Sequence, residues 1–241
     1  MLLERAHHHL MEFRCWLRAY EAHTPYQQVQ EFDELRAETR FKIRVRNKPP
    51  RLMTAISFDV GNNLRSALDH AVFDASKELS GSPDPKSTKF PFPKDSASLP
   101  GDIARKKGEV PISLIPFFQR HRPYPGGDEA LVGLNDLRNA KLHRTLVPFA
   151  SRSGGTFVNE MVGADVTIMG EWNVSRDEYT YMVVRGRLPP RMDVGVSVFL
   201  SFSAPAVFEA RPAIDVLHEC VVKVDNIISE FPLEVARIKS I

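Results

Sequence analysis

Residues 40–46 read Arg-Phe-Lys-Ile-Arg-Val-Arg, and the period of this stretch decides the fold class. Phe41, Ile43 and Val45 alternate with Lys42, Arg44 and Arg46, so successive side chains fall on opposite faces of a half-buried strand with a basic outer face. The sequence on either side has a different period. Upstream, Leu3, Ala6, Leu10, Phe13, Leu17 and Tyr20 are spaced by three and four, which is one face of an amphipathic helix. The pattern carries this helix, across a break at Thr24-Pro25, through Leu35. Asn47-Lys48-Pro49-Pro50 ends the strand, and then Ile56, Val60, Leu64, Leu68 and Val72 form an unbroken row of fours. That row predicts a second helix over about 52–79, stopped by Gly81-Ser82-Pro83.

From there to about residue 127 prolines are frequent, including Phe90-Pro91-Phe92-Pro93, with one short apolar element at 112–118. A connection of this length is expected to be a functional flap or partly disordered. Asp128 is placed to cap a third helix over about 129–146, and Pro148 follows its end. Strands are predicted over 156–169, 179–187 and 194–202, with turns at 172–176 and 188–191. After Arg211 a last helix opens with Pro212, and Ile214, Leu217, Val221, Val224, Ile228 and Phe231 make a narrow apolar seam. The fold class is therefore α+β: an N-terminal helical bundle part over 1–150, then a small antiparallel β meander and a C-terminal helix over 151–241, sharing one core.

Composition narrows the function classes. A chain of 241 residues with 43% hydrophobic and 26% charged positions is long enough to bury a sizeable core. A net charge of +2 is too small to argue for nucleic acid in bulk, so any basic surface has to be local. One such run lies between Arg36 and Arg51, with seven basic residues and one acidic. It reads either as a track for an RNA backbone or as a solvated strand face. Cys15 and Cys220 fall in apolar helical patterns without metal-ligand spacing, which fits buried, reduced thiols and a cytoplasmic location. Glu4 and Arg5 interrupt the first apolar stretch, so neither a signal peptide nor a membrane span is expected. His7, His8 and His9 point about 100° apart on a helix and do not converge on one ion, and no His-x-x-x-His or Cys-x-x-Cys pattern supports them or His218. No metal or other cofactor is predicted. A Walker lysine after Gly126-Gly127 and a Gly-x-Ser-x-Gly elbow are both missing.

What remains is polar chemistry on helices. Residues 137–144 read Leu-Arg-Asn-Ala-Lys-Leu-His-Arg. On a helix through residue 146, Leu131, Leu142 and Leu146 lie within about 80° of Arg138 on one side and Leu134 within about 40° on the other. The guanidinium thus starts inside the apolar stripe, with Asn139 beside it and His143 at the edge. A buried cation needs a partner, either a carboxylate or a bound phosphate. Asp69 is the internal candidate, and Arg65 and Asp69 are already spaced for an i,i+4 pair. One reading is therefore a structural ion-pair network in a non-enzymatic ligand-binding or interaction protein, and the other is a phosphate-handling site.

Arg138-Asn139-x-x-x-His143 resembles the signature of the HEPN superfamily of small helical domains, many of them metal-independent ribonucleases of defence and toxin systems. The resemblance implies RNA as partner and a homodimer in which two copies of the motif meet. It also implies His143 as general base or acid on the ribose 2′-hydroxyl and the leaving oxygen, Arg138 on the scissile phosphate, and Asn139 as the orienting amide. The first 150 residues also resemble an uncharacterised bacterial family. The shared motifs are Arg5-Ala6 followed by His9-Leu10, Asn63-Leu64-Arg65-Ser66-Ala67-Leu68-Asp69-His70, and the Phe-Pro pair at 90–93. Where that family has Asn-x-Asp-Lys-His-Arg, this chain reads Asn139-Ala140-Lys141-Leu142-His143-Arg144. These motifs add Asn63, Arg65, Asp69, His70 and Arg144 as candidate substrate-binding residues. Arg65, Asp69 and His70 are also placed to complete the site within one chain.

Overall fold

The row of fours at 56–72 folds as its spacing predicts. In the computed structural model, which describes residues 1–80, 83–105, 109–139, 146–152, 166–173, 176–187 and 196–241, helix α2 (Arg51–Ser80) buries Ile56, Val60, Leu64, Leu68 and Val72. Before it come α1 (Leu2–Ala22), β1 (Tyr26–Asp33) and β2 (Glu38–Val45). After it come α3 (Ser98–Ala104), a 3₁₀ turn at Ile112–Leu114, α4 (Ile115–His121) and α5 (Glu129–Asn139). The chain continues with β3 (Leu146–Arg152), β4 (Val166–Asn173), β5 (Glu178–Arg185), β6 (Val196–Phe202), a second 3₁₀ turn at Ala206–Phe208 and α6 (Ala213–Lys239). The class is α+β. No helix among the described residues is long and apolar enough to cross a membrane.

Two compact units are drawn from discontinuous stretches. The first comprises Met1–Cys15, Arg51–Thr145 and Phe202–Ile241. Here α2 packs chiefly on α6 and also on α5, and α6 contributes Val216, Leu217, Cys220, Val221, Val224, Ile227 and Phe231 to the core, whereas Cys15 of α1, expected to be buried, is exposed. Each aliphatic side chain so buried contributes about 1.5–3 kcal/mol. Two glycines set how closely the helices approach. A Cβ on Gly61 would meet Leu137 at 3.3 Å, and one on Gly133 would fall 2.2 Å from the Phe208 ring. Asp128 caps α5 as expected, its Oδ1 accepting from the Leu131 N–H at 3.0 Å while Oδ2 meets Lys223 Nζ at 2.7 Å.

The proline-rich connection is not a loose flap among its described residues. Phe90, Leu99, Ile103, Val110, Leu114, Phe117 and Phe118 are all buried. Phe90 and Phe118 meet edge-to-face at 5.4 Å, and Phe117 reaches Phe231 of α6 at 4.4 Å. That much apolar area outweighs the entropy of ordering a long connection, which its prolines already lower.

The second unit comprises Trp16–Pro50 and Leu146–Ser201. It holds a four-stranded sheet of order β1-β2-β5-β4 and a separate β3-β6 pair. The sheet is antiparallel at each described pairing, with Tyr26 opposite Val45 and Asp33 opposite Glu38, and Thr39 opposite Val184. The helix expected through Leu35 therefore ends at Ala22, and 26–33 is a strand. Val29 and Phe32 fit a helical spacing of three, but with Pro25 before them they instead extend against β2. A turn closes the hairpin, in which Asp33 Oδ1 accepts from the amides of Leu35 and Arg36 and Ala37 takes φ +52°.

The basic face of β2 is paired with acids, buried at Lys42 and partly exposed at Arg44. Lys42 is 8% exposed and Glu178 4%. Lys42 Nζ lies 2.5 Å from Glu31 and 3.4 Å from Glu178, while Arg44 donates to Glu178 at 2.5 and 2.7 Å and to Glu31 at 3.1 Å. The hydrogen bond from Lys42 holds the Glu31 carboxyl below the usual carboxylate range. The alternation of 40–46 located the strand. The acids that answer it come from the neighbouring strand β1 and from β5, which lies 136 residues further on.

Candidate functional site

The candidate site lies within the first unit, where α2 carries Asn63, Arg65, Asp69 and His70, and α5 carries Arg138 and Asn139. His143 and Arg144 lie outside the described residues. Helix α5 is described only to Asn139, and Leu146 begins β3 rather than ending the helix as its spacing predicted. This moves the stripe. The buried residues of α5 are Ala130, Leu131, Gly133, Leu134 and Leu137, which centre the apolar face about 60–70° from Arg138. Arg138 therefore stands at the edge of the stripe, its side chain 39% exposed, and Asn139 is exposed.

Asp69 is the meeting point. Its Oδ1 pairs with Arg65 Nη1 and accepts from the Phe90 N–H at 3.0 Å. Its Oδ2 lies 3.9 Å from Arg138 Nη1. Both pairings expected for Asp69, one along α2 and one across to α5, are thus present. Arg65 is 6% exposed. It also donates to the Phe90 carbonyl at 3.2 Å, and its guanidinium carbon lies 4.4 Å from the centre of the Phe92 ring. Burial pushes its pKa below the ordinary arginine value, against the opposing pull of Asp69. Arg65 and Asp69 together clamp the Phe90-Pro91-Phe92 segment onto α2. One carboxylate therefore faces two guanidinium groups, the inner one consumed by structure and the outer one reaching solvent.

The remaining candidates separate. Asn63 Nδ2 donates to the Asp59 carbonyl at 2.6 Å, a bond to the preceding turn of its own helix. His70 is exposed and lines a cavity of about 380 Å³ together with Asp69, Phe73 and Thr88. It lies about 140° around α2 from Arg65, so the two are not side by side. Among the described residues no group of three or more histidine, cysteine or carboxylate side chains is placed to hold a metal ion. His9 lies 3.3 Å from Glu12.

Residue spacing did not point to Thr88, Asp74 or the backbone of Phe90. The Phe-Pro pair at 90–93 was visible as a motif, but its role as the surface gripped by Arg65 depends on a contact across 25 positions. No family model, no curated protein and no solved structure matches the chain.

Proposed function

We propose that the helical unit is a HEPN-like module that binds single-stranded RNA through its phosphodiester backbone at the Arg138 edge of α5. The observation that carries this reading is the unequal sharing of Asp69. Arg65 and the Phe90 amide occupy Oδ1, which leaves Arg138 a long contact at 3.9 Å and a side chain 39% exposed. A cation held this loosely retains the capacity to bind an incoming phosphate oxygen, and a guanidinium suits a bidentate contact. Arg65 and Asp69 act as the frame behind it, and Asn139, exposed beside it, donates its amide to the same ligand.

The motif resemblance adds a finer step, metal-independent cleavage. His143 takes the proton of the ribose 2′-hydroxyl as that oxygen attacks phosphorus and closes a 2′,3′-cyclic phosphate, the bond to the 5′ oxygen breaks, and a protonated imidazole of the opposing motif gives its proton to the leaving oxygen. A second copy of the chain supplies the opposing motif. The test is fluorescence anisotropy of a labelled single-stranded RNA with the full chain in EDTA, followed by a denaturing gel of the same sample. Binding lost in Arg138→Ala with fold retained supports the module. Cleavage lost in His143→Ala supports the nuclease step. Intact RNA that never binds leaves the other reading, a non-enzymatic protein whose Arg65–Asp69–Arg138 network is structural, and the clamp on Phe90 favours that alternative.

A further inference from the structure

Asp69 also lines a cavity beside α2. The cavity measures about 380 Å³, within the range of small-molecule sites, and its lining from α2 includes Asp69, His70, Phe73 and Asp74. From the loop after α2 comes Thr88, 2% exposed, whose Oγ1 has no hydrogen-bond partner. Leaving a buried hydroxyl unpaired costs about 1–3 kcal/mol. Its backbone is fixed in advance, because the Thr88 amide donates to the Asp84 carbonyl at 2.9 Å and Ser87 Oγ to Asp84 Oδ2 at 2.8 Å. The lining thus combines a half-buried aromatic ring, two carboxylates, the lysine Lys89 and a hydroxyl without a partner.

We propose that this cavity takes a nucleobase bearing an exocyclic amino group, stacked against Phe73, with its amine donating to Asp74 and its ring edge bonded to Thr88 Oγ1. Beside Asp74 the carboxylate accepts from an amine and repels a carbonyl oxygen, so cytosine and adenine are favoured there over uracil, which has a carbonyl in that place. The inference rests on the phosphodiester-binding reading, because Asp69 both lines the cavity and meets Arg138, so that one nucleotide spans the two. Stacking supplies affinity without choice of base, and the carboxylate and hydroxyl supply the choice.

The experiment compares ten-residue oligo(rC) and oligo(rU) by anisotropy with the full chain in EDTA. Oligo(rC) is expected to bind about tenfold more tightly, and Thr88→Val and Asp74→Ala are each expected to narrow that gap. Thr88→Val removes an unpaired group, so its melting temperature is expected to stay level or rise, which separates loss of preference from loss of fold. Equal affinities in the wild type, or a gap that persists in both variants, overturn the base pocket while leaving the Arg138 reading standing. Should neither oligomer bind, the Arg138 reading falls and calorimetry with free cytidine decides the pocket. Cytidine binding lost in Thr88→Val upholds it, and no cytidine binding overturns it.

Discussion

Arg65 and Arg138 meet the same carboxylate from opposite environments, so truncating them is expected to have opposite effects. Arg65→Met strips a half-buried aspartate of its principal partner and releases the Phe90 carbonyl. The expected loss is about 3 kcal/mol in urea unfolding, with little to learn from RNA binding because the Phe90 segment is disturbed. Arg138→Ala removes a long, solvent-screened contact and is expected to cost less than about 1 kcal/mol while abolishing RNA binding. Equal destabilisation by the two would place Arg138 in the structural network and remove the case for a ligand. The residue types and their pairing were legible in sequence, since Arg65 and Asp69 are one turn apart and Asp69 was the internal candidate for Arg138. Their depth was not legible. Placing Arg138 on the stripe relied on Leu142 and Leu146, and Leu146 belongs to a strand.

At the scale of elements, close approach and buried charge determine what tolerates change. Gly133→Ala forces a methyl into the Phe208 ring and is expected to lose about 1–3 kcal/mol in chemical denaturation. In the sheet, Glu178→Gln leaves Lys42 and Arg44 with Glu31 alone and is expected to cost about 3 kcal/mol. His121 supplies a pH effect. Burial holds its pKa below the ordinary 6.5, against the pull of Glu230, whose Oε2 lies 3.3 Å away, with Lys223, Arg120 and Asp128 also nearby. Below the ordinary value the unfolded chain takes up a proton that the folded chain resists, so stability falls as pH drops through that window. The melting temperature is expected to decline from about pH 7.5 to about 5.5, less steeply in His121→Gln. Helices α2 and α6 were legible because their stripes are long and regular. Strand β1 was not, because a spacing of three reads equally as a turn of helix or as two faces of a short strand, and only the partner β2 decides between them.

For the whole molecule, sequence order is a poor guide to which parts fold together. The chain passes from one unit to the other at residues 15–16, 50–51, 145–146 and 201–202. A fragment ending at residue 150 keeps β1 and β2 but loses β5, and keeps α2 but loses α6. It is expected to show no cooperative unfolding transition by circular dichroism, and a sharp transition in it would mean that α2 needs less from α6 than their packing implies. Composition and period were enough to reach the α+β class, but pairings between distant segments leave no periodic trace. The dependence of α2 on the last helix also bears on synthesis. A ribosome making this protein releases the apolar stripe of α2 long before its cover exists, for the whole interval between Ser80 and Ala213. At typical translation rates that interval is on the order of ten seconds, long enough for a nascent chain to need a chaperone's shelter.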